Sequence, residues 1–169
     1  SKVGSGMNDR VRALTIFNGE LIAGGAFTKA DNKSANRMAR GNGSAWSKLG
    51  TAMSAPSTVF ALATFNGALY AGTLPLAQLY RHEGGGDWRL LRQLDTTPDV
   101  QYRCVWTMAE YHGRLFATTL PSGHVWSLRA GATVSWDHEL PSGWRHIAAQ
   151  REGDTLRLWV DGEQVAESR

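Results

Sequence analysis

The sequence lacks most of the features that announce common chemistries. Its 169 residues include a single cysteine, Cys104, which excludes an internal disulfide framework and a cysteine-built zinc site. Cys104 lies in a segment that reads as a strand, where a buried, inert thiol is expected rather than a nucleophile. No apolar run approaches the roughly 18 residues of a membrane helix, so membrane insertion is not expected. Basic residues number 18 against 15 acidic ones, for a net charge of +3. They are scattered, whereas a nucleic-acid surface usually shows a basic stripe, so nucleic acid is not an expected partner. Ser1-Lys2-Val3-Gly4 is not a signal peptide. There is no Gly-x-Ser-x-Gly elbow, no His-Glu-x-x-His helix and no P-loop. Gly84-Gly85-Gly86 has no following lysine and reads as a turn between strands. No catalytic residue, metal or cofactor is implied.

What is present describes a globular all-β protein. Apolar residues make up 42% and charged residues 20%, too balanced a mixture for disorder. Nineteen glycines and seven tryptophans favour short strands joined by tight turns. Three segments align without gaps: VRALTIFNGELIAG from Val11, VFALATFNGALYAG from Val59 and VWTMAEYHGRLFAT from Val105, spaced by 48 and 46 residues. Periods of this size belong to propeller blades and related repeats. Each segment is a strand, a turn at Asn-Gly or His-Gly, and a second strand, because Asn and Gly tolerate positive φ. A third strand follows at Leu79-Tyr80-Arg81 and Val125-Trp126-Ser127-Leu128, and a fourth at Trp46-Ser47-Lys48 and Trp88-Arg89-Leu90-Leu91. Four short antiparallel strands per period make a propeller blade.

The run Phe17-Asn18-Gly19-x-Leu21-Ile22-Ala23-Gly24-Gly25-x-Phe27-Thr28, followed by Trp46-x-x-Leu49-Gly50, resembles repeats of bacterial secreted and surface proteins related to kelch and galactose-oxidase-type propellers. The resemblance covers residues 1 to 130 and implies an extracellular or cell-surface setting. Ser1-Lys2-Val3-Gly4 matches Ser47-Lys48-Leu49-Gly50, so the chain is expected to begin inside the last strand of a preceding blade. Trp136-Asp137 is similar to a WD dipeptide but occurs once, without its Gly-His partner, and is read as coincidence. From about residue 130 the pattern changes. Gly143-Trp144-Arg145-His146-Ile147-Ala148 and Leu156-Arg157-Leu158-Trp159-Val160-Asp161-Gly162 resemble the inner hairpin of laminin-G or concanavalin-A-like lectin domains, with His146 on its first strand. The rival reading is a divergent fourth repeat. The expected architecture is therefore all-β: a partial β-propeller of about three four-stranded blades near residues 5–50, 51–94 and 95–138. Residues 131–169 form either a fourth blade-like hairpin or a truncated lectin-like segment.

Constant positions such as Leu14, Leu62 and Met108 are expected to serve the common fold, leaving variable ones free for function. Arg12, Phe60 and Trp106 share one register near the start of each repeat's first strand. An exposed tryptophan there can stack on a sugar ring; the competing role for Trp106 is in the core. These three residues and His124 are the candidate ligand-binding residues. His112 replaces the turn residues Asn18 and Asn66, and a structural role is expected. Asp95, Asp99, Asp137, Glu139 and Asp154 read as loop acids, and a glycosidase needs two carboxylates facing across a sugar. Asp31, Asn32 and Asn36 read as a polar hairpin loop rather than a calcium site.

Three functions follow. The leading one is a non-enzymatic binding or scaffold module of a secreted or surface protein, recognising glycan or protein. The alternatives are a glycoside hydrolase or lyase on a propeller scaffold, and a structural repeat that completes a propeller as a homo-oligomer.

Overall fold

The computed structural model describes residues 2–51, 57–129, 134, 136, 138–140 and 142–168. Every regular element among them is a β-strand. The first sheet has the order β1 (Val11–Phe17), β2 (Glu20–Gly25), β5 (Met38–Gly41), β6 (Trp46–Lys48), with a small ribbon of β3 (Lys29–Ala30) and β4 (Lys33–Ser34) inserted between β2 and β5. The second runs β7 (Thr58–Phe65), β8 (Ala68–Leu74), β9 (Gln78–His82), β10 (Trp88–Gln93). The third has β11 (Cys104–Tyr111), β12 (Arg114–Leu120) and β13 (Val125–Leu128), and the tail has β14 (Ile147–Glu152), β15 (Thr155–Val160) and β16 (Glu163–Ser168). The chain divides into two compact units, residues 1–109 with 117–126, and residues 110–116 with 127–169.

The turns follow from residue chemistry. Asn18-Gly19, Asn66-Gly67 and His112-Gly113 all have positive φ, at 51° and 76°, 47° and 67°, and 46° and 67°. Both central residues of a type I′ hairpin turn need that conformation. His112 is thus a turn residue, as its position implies. Asp161-Gly162, with φ of 51° and 85°, closes β15 onto β16 in the same way.

The first two sheets pack through one apolar cluster. Ile22 and Met38 of the first sheet meet Val59, Leu62, Leu69, Ala71 and Tyr80 of the second, with Leu49 between them. Thr64 Oγ1 donates to the Ile16 carbonyl at 2.6 Å. The approach depends on glycine. A β-carbon on Gly24 would stand 2.5 Å from Val59 Cγ1 and 3.2 Å from Leu62 Cδ1. The contact recurs one repeat later, where a β-carbon on Gly72 would stand 2.5 Å from Val105 Cβ and Cγ1. Val59 and Val105 are both 0% exposed. A second cluster on the first sheet gathers Ala23, Phe27, Ala30, Ala35, Ala39 and Trp46, with Val3 and Met7 against it.

Three expectations need correction. Leu14 does not serve the core as Leu62 does: it is 58% exposed against 9%, because the first sheet covers Leu62 and no described residue covers Leu14 in the same way. Among the described residues the third sheet has three strands; much of the stretch expected to complete that blade, Asp137 of the Trp-Asp pair included, lies outside the described residues. Lys2, Val3 and Gly4 form no strand; the Val3 carbonyl instead accepts the Trp46 indole N–H at 3.2 Å. Ser1 lies outside the described residues. In the tail, His146 precedes its strand and Trp144 is fully exposed. Ile147 pairs with Val160, and His146 is held just beyond the strand by Asp161, whose N–H donates to the His146 carbonyl at 2.8 Å and whose Oδ1 accepts from the His146 N–H at 2.9 Å.

Gly72→Ala should destabilise the protein by about 1–3 kcal/mol through overpacking against Val105. Adding Val105→Ala should recover part of that loss, so the double variant costs less than the sum of the singles. Urea unfolding midpoints of the four proteins measure the coupling; strict additivity would contradict the contact.

Candidate functional site

The strand pairing explains where the variable register points. Val11 pairs with Gly25 and Ala13 with Gly24, which leaves Arg12 as an extra residue. Val59 pairs with Thr73 and Ala61 with Gly72, which leaves Phe60 as the extra residue. Both are β-bulges, and a bulge turns its extra side chain away from the regular alternation. Trp106 holds the same register in the third repeat.

The structure brings these three together. The Arg12 guanidinium lies 4.9 Å from the Phe60 ring centroid, within cation–π range. The Phe60 and Trp106 rings are 5.6 Å apart at 38°. Trp106 is 53% exposed, so it is not a core tryptophan. The result is a ladder of cation, phenyl and indole across three consecutive repeats. Phe60 is half-buried between the Arg12 guanidinium and the tilted, exposed Trp106 indole, so the ladder has a positive end and an aromatic end.

His124 does not join the ladder. It lines an open cavity of about 340 Å³ whose wall also includes Arg92, Asp95, Thr97, Ser122 and Trp126. The Arg92 guanidinium lies over the Trp126 ring at 5.2 Å. His124 meets the same indole edge-on at 6.0 Å. Asp95 forms the floor, 2% exposed. Its Oδ1 accepts from the Thr97 N–H at 2.9 Å and the Thr97 hydroxyl at 2.6 Å, and its Oδ2 accepts from the Ser122 N–H at 3.1 Å. Burial raises the Asp95 pKa, but the hydrogen bonds from Thr97 and Ser122 outweigh it and hold the carboxyl well below the ordinary range. Arg92 and Trp126 escaped the sequence reading. A signal was there beyond the aligned segment: Leu74-Pro75-Leu76-Ala77-Gln78-Leu79-Tyr80 becomes Leu120-Pro121-Ser122-Gly123-His124-Val125-Trp126, so His124 and Trp126 replace Gln78 and Tyr80.

Other candidate residues have structural tasks. Asp31 Oδ1 accepts from the Ser5 and Gly6 N–H groups and its Oδ2 from the Trp46 N–H. The Trp46 bond leads in lowering its pKa. Its two oxygens are thus engaged by the backbone, and Asp31-Asn32 is the turn between β3 and β4. Asp99 and Asp154 sit in turns. Cys104 is buried, and that burial pushes its thiol pKa up, which suits an inert thiol.

No protein-family model matches the chain, and no curated protein matches it. Among solved structures, the chain is similar to the extracellular domain of a protein assigned as a one-component system of B. thetaiotaomicron, at 14% identity and a TM-score of 0.50. The match covers 96% of this chain and spans 22% of that one. It supports the all-β architecture.

Asp95→Asn should cost about 2 kcal/mol, since an amide cannot accept from all three donors and leaves one orphaned. The folded pKa of Asp95 is lowered, so its stabilisation is complete above the ordinary carboxylate range, starts to decline as pH falls below that range, and is fully lost only once pH falls through the lowered folded value. Urea midpoints measured from pH 7 down to pH 3 should fall less steeply for the variant than for the parent.

Proposed function

We propose that the chain is a set of propeller-type blades from a secreted or cell-surface protein. In this reading it acts as a non-enzymatic binding module for glycan or protein. The observation that carries the reading is the Arg12–Phe60–Trp106 ladder. Variable residues at one register of a repeated frame make one continuous exposed surface. Aromatic and arginine side chains dominate binding energy where they lie in well-packed contact. The two four-stranded sheets, the recurrence of the strand–turn–strand segment every 46–48 residues and the likeness to an extracellular domain support the same reading. For the tail, β16 extends the expected hairpin into a meander, which favours a divergent fourth repeat over a lectin-like segment.

The enzymatic alternative calls for two facing carboxylates, and among the described residues the cavity wall holds a single acid, Asp95. Self-association meets a steric objection. Thr118 stands where Gly24 and Gly72 receive the valine of the next sheet. A second copy docking its Val11 there in the same way would meet a side chain.

Glycan-array and pull-down screens with the chain should return a ligand. Its affinity should fall about tenfold or more for Trp106→Ala, and less for Arg12→Ala, with unfolding midpoints unchanged. A ligand that binds the Trp106→Ala, Arg12→Ala double variant as tightly as the parent would remove the ladder from the reading.

A further inference from the structure

We infer that the cavity between β10 and β13 binds a sugar bearing a carboxylate, a uronic acid residue, with Arg92 as its carboxylate clamp. The inference deepens the binding-module reading and rests on it, but it places this ligand apart from the ladder.

Arg92 carries the argument. Among the described residues no carboxylate pairs with it. Its guanidinium lies over the Trp126 ring at 5.2 Å. A guanidinium carries five N–H donors in a fixed planar fork, and that fork has the geometry of a bidentate carboxylate pair. The one acid in the wall does not compete. Asp95 already accepts from Thr97 N–H, Thr97 Oγ1 and Ser122 N–H, and is nearly inaccessible. By those bonds it ties the loop after β10 to the loop before β13. The loops that carry the floor are therefore fixed before any ligand arrives.

The rest of the wall selects a sugar. Trp126 and Pro98 supply apolar surface, and His124 supplies a ring nitrogen beside it. At about 340 Å³ the cavity lies at the small end of ligand sites. A single ring suits it better than a folded peptide. Ring C–H groups would meet the indole while the carboxylate meets Arg92.

Titration calorimetry with a short oligogalacturonate, the neutral galactose oligomer of equal length and a glutamate-rich peptide tests this. The oligogalacturonate should bind and the other two should not. Arg92→Ala should weaken it about tenfold or more. Arg92→Lys should weaken it too, because lysine keeps the charge and loses the fork. Trp106→Ala should leave it unchanged. Arg92 is exposed, so the unfolding midpoints of its variants should match the parent's, which keeps a loss of binding interpretable. Equal binding of the neutral sugar, preference for the peptide, indifference to Arg92, loss on Trp106→Ala, or no oligogalacturonate binding would each overturn the inference. If a ladder-dependent ligand is found while oligogalacturonate does not bind, the cavity assignment fails and the module reading stands.

Discussion

Successive sheets of this protein meet where one of them has no side chain. Val59 enters the space above Gly24, and Val105 enters the space above Gly72. Each valine is fully buried, and burying such a side chain is worth about 1.5–3 kcal/mol. That gain requires the glycine, since any β-carbon there would overlap the valine. Glycine otherwise weakens a strand interior. Its presence at both positions is therefore a cost accepted for close approach. The contact also fixes the repeat as a unit: a valine at the start of the first strand and a glycine thirteen residues later in the second. Thr118 breaks the rule at the third repeat.

The same contact explains why function can collect next door. In each of the first two sheets the residue after the key valine is the one the bulge leaves unpaired. Packing therefore dictates the valine and leaves its neighbour unconstrained. Arginine, phenylalanine and tryptophan occupy that neighbour position in turn. Val59 and Val105 each seat on the preceding sheet, and their neighbours follow: Arg12 lies 4.9 Å from the Phe60 ring, and the Phe60 and Trp106 rings are 5.6 Å apart. A rigid frame with a free adjacent register builds a surface without any one repeat carrying it alone.

Much of this was legible in the sequence because it is written in local chemistry. Asn18-Gly19, Asn66-Gly67 and His112-Gly113 announce their turns whatever surrounds them, and the repeat alignment marks the shared register of Arg12, Phe60 and Trp106. The exposure of Leu14 was not legible. Leu14 and Leu62 are the same residue in the same local pattern, and only the neighbouring sheet distinguishes them. Trp106 poses the converse problem: an aromatic on a strand reads as core until its 53% exposure is seen. His124, a candidate beside the ladder residues, lies in a different place, because its neighbours Arg92 and Trp126 come from separate repeats.

The acids carry the last lesson. Shifted carboxylates often mark chemistry, yet here they mark ties between loops. Asp31 gathers the backbone N–H groups of Ser5, Gly6 and Trp46, and Asp161 gathers the backbone N–H of His146 and the guanidinium of Arg145, donors that a folded loop must satisfy. Hydrogen bonds to the charged form hold both carboxyls low. Asp95 does the same for Thr97 and Ser122, but its tie also underlies a cavity. An anion so fully engaged is a poor acid, base or metal ligand. It is a good foundation, because it spends its charge inward and leaves Arg92, stacked on Trp126, as the group that faces a ligand.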